Sequence, residues 1–168
     1  RITQACADPQ TQRWLTELPT PYTTEDARAH LEMIQAEQAT GSSMYWAVED
    51  AAGDMVAELG LFGLRAGVST SGELGYWAHP AARGRGATTQ AVRAACRYAA
   101  IPREEGGLGL TRLLIRASAD NVASRRVATP STCWPRASPA DPSPALRRSG
   151  PWRSSRVSNP SAAGPTPG

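Results

Sequence analysis

The sequence predicts an α+β domain, a mixed sheet flanked by helices, on three observations. A stretch with helical spacing precedes three β-like runs; an Arg- and Gly-rich loop then opens a second amphipathic helix; and a short apolar run fits a buried strand before a last helix. The order is α, β, β, β, α, β, α, all within residues 1–128. A chain of 168 residues is long enough for one core that hides roughly two thirds of its unfolded surface.

The first helix starts near Thr23 or Thr24, either of which can cap it, and carries Glu25 and Asp26 in its first turn, where the dipole favours acids. Ala27, Leu31 and Ile34 mark its buried face. Runs at 44–48 and 55–64 are joined by Glu-Asp-Ala-Ala-Gly-Asp, in which Gly53 suits a hairpin turn, so they form an antiparallel pair. The third strand, 73–78, stops at His79-Pro80, where proline lacks the amide a ladder needs. A helix over 87–99 places Ala91, Val92, Ala95 and Tyr98 on one stripe and ends before Pro102 and Gly106-Gly107. Leu113-Leu114-Ile115 centre a strand at 112–116, and Asp120 or Asn121 caps a helix through Val127.

Composition divides the chain in two. All 18 basic residues are arginine, and residues 1–128 carry 13 of them against 14 acids, whereas 129–168 carry 5 against one. The tail holds 9 prolines and 8 serines without apolar periodicity, a composition that does not offset its ordering entropy, so it reads as disordered or out of frame. With only Trp134 and Trp152 for stacking and no basic run longer than two, it does not suggest a nucleic-acid-binding arm. Cys6, Cys96 and Cys133 show neither a disulfide pattern nor metal-ligand spacing, which points to a reducing cytoplasm and to no metal site. No apolar run approaches the roughly 20 residues that span a bilayer.

The chemistry centres on Ala82-Arg83-Gly84-Arg85-Gly86-Ala87-Thr88, between a strand end and a helix start. Unpaired amides and the positive end of a helix dipole bind anionic oxygens there, and glycines let backbone approach a pyrophosphate. The same residues also suit a surface turn with no ligand. The loop lacks the Gly-Lys-Ser/Thr of a Walker loop and the spacing of a dinucleotide fingerprint.

Read with its flanks, Gly-Tyr-Trp-Ala-His-Pro-Ala-Ala-Arg-Gly-Arg-Gly-Ala-Thr-Thr-Gln-Ala-Val, from Gly75 to Val92, resembles the acetyl-CoA signature of the GNAT superfamily of N-acetyltransferases, Arg/Gln-x-x-Gly-x-Gly/Ala. Thr88 departs from it, standing where Gly or Ala is usual. Asp8-Pro9 through Arg13-Trp14, Pro19-x-Pro21-Tyr22-Thr23 and Asp120-Asn121-Val122-Ala123-Ser124 are similar to the branch that acetylates ribosomal-protein N-termini, so the resemblance covers residues 8–128. It implies a splayed central sheet. It further implies acetyl-CoA bound by the amides of Arg83, Gly84, Arg85, Gly86, Ala87 and Thr88, with charge from Arg83 and Arg85, and by backbone groups of Trp77 and Ala78, with Asn121 and Ser124 lining the thioester end.

The implied reaction is attack of a primary amine, at a protein N-terminus or on a small molecule, on the acetyl thioester. It needs a base for the amine proton and stabilisation of a developing oxyanion. Glu73 is the candidate base and Ser124 the candidate donor to the leaving thiolate; each also reads as an ordinary strand-edge or helix-surface residue. His79, next to Pro80, is a weaker base candidate, and Trp14 and Tyr22 read as core aromatics or as walls of an acceptor pocket.

The resemblance also implies elements that the residues do not supply. Only 1–4 remain for an opening strand, and after Ser124 the expected Gly-Phe and β-hairpin give way to Thr-Pro-Ser-Thr-Cys-Trp-Pro-Arg. Cys133-Trp134-Pro135, read one base later, encodes Ala or Val, then Gly, then a residue such as Leu, as a frameshift would produce. A missing hairpin would leave some five backbone groups unpaired at about 1–3 kcal/mol each. The alternative expectation is therefore a truncated or frameshifted member that binds acyl-CoA weakly without turnover.

Overall fold

The computed structural model describes residues 1–65 and 67–129. The Pro/Ser/Arg-rich segment singled out above lies, from residue 130 on, outside the described residues, and so does Cys133. Four strands form one sheet in the order β1 (Met44–Glu49), β2 (Met55–Phe62), β3 (Ser71–Ala78) and β4 (Arg112–Leu114). The first three are antiparallel neighbours and β4 runs parallel to β3. Among the described residues five α-helices accompany them: α1 (Ile2–Cys6), α2 (Pro9–Trp14), α3 (Thr24–Thr40), α4 (Ala87–Ala100) and α5 (Val122–Val127).

Local chemistry explains the boundaries. Thr23 and Asp26 form a reciprocal capping box, the side chain of each meeting the other's backbone amide, and Gly41 closes α3 in the left-handed conformation. Asp50 opens the β1–β2 turn by accepting from the amides of Ala52 and Asp54, and Gly53 takes the positive φ that the turn requires. The last strand is shorter than its apolar run, because pairing ceases after Leu114.

Two helices were not legible. Instead of an opening strand, residues 2–6 form α1, since Ile2 and Cys6 fall four apart and turn one apolar face toward Tyr22 and Ala27, with Ala5 also buried. Helix α2 follows from Asp8-Pro9: the carboxylate accepts from the Thr11 amide at 2.9 Å, and proline fits the first helical position, where no amide is needed.

The sheet is covered on both faces. Leu59, Leu61 and Leu74 turn to α4 and pack with Val92, Ala95, Cys96 and Trp46. On the other face Glu58, almost wholly buried, accepts from the Trp77 indole at 3.2 Å and pairs with His30 Nε2 at 2.9 Å. That contact raises the His30 pKa, outweighing the opposing effect of burial.

Replacing Leu59, 1% exposed, by alanine removes a side chain from the centre of the larger core. A loss of about 2–5 kcal/mol is expected from urea unfolding, a large part of the stability of a domain this size.

Candidate functional site

The site begins where two parallel strands part. β3 and β4 share only three paired positions, Ser71↔Arg112, Gly72↔Leu113 and Glu73↔Leu114, and beyond them β3 continues to Ala78 with its edge open. A cleft of about 340 Å³ fills the gap, within the range of small-molecule sites. Tyr76, Trp77 and Ala78 form one lip, and Arg116, Ala117 and Ser118 the other.

Strand alternation decides which backbone groups face the cleft. The His79 amide donates to the Val56 carbonyl at 2.8 Å, across the β2 side. Groups facing one neighbour recur at every second residue of an antiparallel strand, so Trp77 points its N–H and C=O to β2 as well. Tyr76 and Ala78 turn theirs to the open edge. The expectation of Trp77 and Ala78 as the pairing residues thus shifts to Ala78 and Tyr76, while the Trp77 indole is held by Glu58 on the helical face.

At the end of β3, Pro80–Ala82 make one 3-10 turn, and the loop reaches α4 through two left-handed glycines, Gly84 at φ 75° and Gly86 at φ 80°. Gly86 caps α4 without a side chain, so no side-chain acceptor covers the amides of the first turn among the described residues. Gly84, Gly86, Ala87 and Thr88 line the cleft, whereas Arg85 is exposed outside it. His79, buried behind the loop, accepts from the Ala81 amide through Nδ1 and meets Gln4 through Nε2; burial and then Arg1 lower its pKa. It supports the turn and is no part of the cleft wall.

Arg83 lies against the cleft, but its guanidinium is turned to the N-terminal segment. It donates to Asp8 at 2.5 Å, Thr11 Oγ1 at 2.7 Å and Gln10 at 2.8 Å. That bridge seats α2 so that Gln10, Thr11, Trp14 and Leu15 form a third wall. Trp14 is therefore a wall residue, with Arg13 stacked over its ring at 4.7 Å, and Tyr22 is a buried core residue packed with Cys6 and Ala27.

On the far side Asn121 caps α5, its Oδ1 accepting from the Ser124 amide at 3.0 Å, and both residues line the cleft. Ser124 Oγ is 2.8 Å from Tyr76 Oη, a partner that sequence reasoning did not single out, because 48 positions separate the two. Glu73 sits at the last paired position of β3, its carboxylate 2.9 Å from Arg116; Arg116 lines the cleft and Glu73 does not. The second cation of the site thus comes from β4's continuation, unanticipated from sequence.

Comparison with known proteins bears on the family and the fold. The acetyltransferase (GNAT) domain profile matches residues 1–130. The chain belongs to the GNAT acetyltransferase family. No protein of curated function matches it by sequence. Among solved structures it is similar to Mycobacterium smegmatis RimJ in complex with CoA-disulfide, at 18% identity and TM-score 0.61, over 75% of this chain and 59% of that one. It is also similar to spermidine N-acetyltransferase from Vibrio cholerae in complex with CoA and spermine, at 16% identity and TM-score 0.61, over 79% and 72%. A third is RimL, a ribosomal α-N-protein acetyltransferase, in complex with coenzyme A, at 21% identity and TM-score 0.60, over 75% and 68%. These likenesses establish the GNAT fold, and the chain spans little more than half the length of RimJ. No helix among the described residues is long and apolar enough to cross a membrane.

The Asp8 bridge yields a pH-dependent prediction. Desolvation raises the Asp8 pKa, but the hydrogen bonds from Arg83 and the Thr11 amide together outweigh it, and the net shift is downward. A depressed carboxylate stabilises the fold above its unfolded pKa of about 3.9, and loses that contribution as pH falls through the lower folded value. Asp8→Asn, which keeps a good cap and removes the charge, should lower stability at pH 7 by on the order of 1 kcal/mol. Urea midpoints of the two proteins should converge below about pH 4.

Proposed function

We propose that the chain transfers an acetyl group from acetyl-CoA to a primary amine, at a protein N-terminus or on a small molecule, in a reducing cytoplasm. The observation that carries this reading is the splay: an open β3 edge beside an uncapped helix N-terminus offers backbone donors to an amide-bearing chain and to the pyrophosphate at its end. The CoA complexes of RimJ, RimL and the spermidine enzyme support it.

In this reading the amides from Gly84 to Thr88 hold the pyrophosphate. Because the Arg83 guanidinium is occupied by Asp8, Arg83 contributes its backbone and the seating of α2, and the exposed Arg85 is the free charge of the loop. Pantetheine runs along Ala78 and Tyr76 toward Asn121 and Ser124, and Trp14 borders the acceptor. Glu73, which does not line the cleft and is paired with Arg116 beside it, takes the amine proton through water. Ser124 Oγ faces the departing sulfur.

The second reading, cofactor binding without turnover, is favoured by one observation: β4 has β3 as its only strand neighbour among the described residues. Titration of acetyl-CoA followed by a thiol-release assay with a panel of amines separates the two. Saturable binding with amine-dependent release is expected. Binding without release would leave the second reading standing, and no saturable binding would reject both.

Two variants test the assignments. Gly86→Val forces a β-branched residue into φ 80° and should weaken acetyl-CoA binding at least tenfold, read by calorimetry. Glu73→Gln should lower kcat roughly 10²-fold with little change in KM for acetyl-CoA.

A further inference from the structure

The two lips of the cleft are joined by a pair of hydroxyls. Tyr76, on β3, brings Oη within 2.8 Å of Ser124 Oγ and 3.1 Å of the Ser124 carbonyl oxygen, on α5. Both side chains line the cleft, and the Asn121 cap fixes the Ser124 backbone. A carbonyl oxygen only accepts, whereas a serine hydroxyl both accepts and donates. The phenol hydrogen can therefore be directed to either Ser124 oxygen. When it is directed to Ser124 Oγ, the serine hydrogen is left to point into the cleft.

This arrangement answers a difficulty of the proposed reaction. A lone serine hydroxyl is far too weak an acid to give its proton to a thiolate. A phenol ionises near 10 and a thiol near 8.5, close enough for transfer between them. We infer that Tyr76 is the proton source behind Ser124, so that the Tyr76–Ser124 pair works as a two-hydroxyl relay to the leaving sulfur; the inference rests on the acetyl-transfer reading.

The step balances. The amine nitrogen bonds to the acetyl carbon, and the carbon–sulfur bond breaks with its electron pair going to sulfur. Sulfur takes the Ser124 hydroxyl proton as Ser124 takes that of Tyr76. The phenolate is reprotonated from water, and the amine has lost one proton to base. Tyr76 reaches the reacting atoms only through Ser124 and is a positioning and proton-supplying residue.

Tyr76→Phe keeps the ring and removes the hydroxyl. With acetyl-CoA and an accepted amine, kcat should fall at least tenfold while KM for acetyl-CoA stays within about twofold. With p-nitrophenyl acetate as acyl donor, whose leaving group needs no proton, the loss should shrink at least fivefold, which a merely structural role would not produce. Ser124→Ala should cause a similar loss, and the double variant should be no worse than the poorer single one, as for groups that act as a unit. An unchanged kcat in Tyr76→Phe, equal losses with both donors, or additive losses in the double variant would each overturn the relay. A wild-type protein that binds acetyl-CoA but releases no thiol would instead reject the acetyl-transfer reading itself.

Discussion

Everything functional in this domain depends on a ladder that stops. Two parallel strands in register normally continue until one ends, and a full ladder between β3 and β4 would satisfy the backbone from Ser71 to Ala78. Pairing ends at Glu73↔Leu114. Beyond that point the edge of β3 lies at the lip of a cleft, with no further strand pairing among the described residues. In the proposed reading a ligand with amides of its own would pair along that edge, which would make the defect in the sheet and the binding site one feature.

The defect is kept open by polar contacts on three sides. Glu58 joins His30 of α3 to the Trp77 indole, tying β3 to its helical face. Arg83 ties the loop between β3 and α4 to Asp8, Gln10 and Thr11. Tyr76 and Ser124 bridge the lips themselves. Each contact links segments far apart in the chain, so the cleft is built from residues whose individual positions look ordinary. The apolar core lies mainly on the other face, where α4 packs, and sets the sheet rather than the site.

This division explains what could be read from the sequence. Periodicity and turn chemistry located α3, α4 and all four strands, because those signals are local: a capping box at Thr23, a positive φ at Gly53, a stripe from Ala91 to Ala99. The loop from Arg83 to Thr88 was legible for the same reason. Helices α1 and α2 were not, since five and six residues carry too little periodic signal and their stability comes from contacts with Tyr22 and Arg83. The Arg83 side chain was assigned to a phosphate because the sequence does not reveal that Asp8, 75 positions away, stands beside it. Backbone facing at Trp77 is not legible either: the parity of a strand is set by its neighbour's register, which the sequence of β3 alone does not contain.

The cations at the cleft, Arg83 and Arg116, together with Arg85 of the loop, are all guanidinium groups. Two of them already face a carboxylate, Arg83 beside Asp8 and Arg116 beside Glu73. Positive charge at the cleft is therefore largely balanced within the protein, so a cationic molecule approaching it would meet little net repulsion, while attraction for an anion falls to the backbone amides at the start of α4.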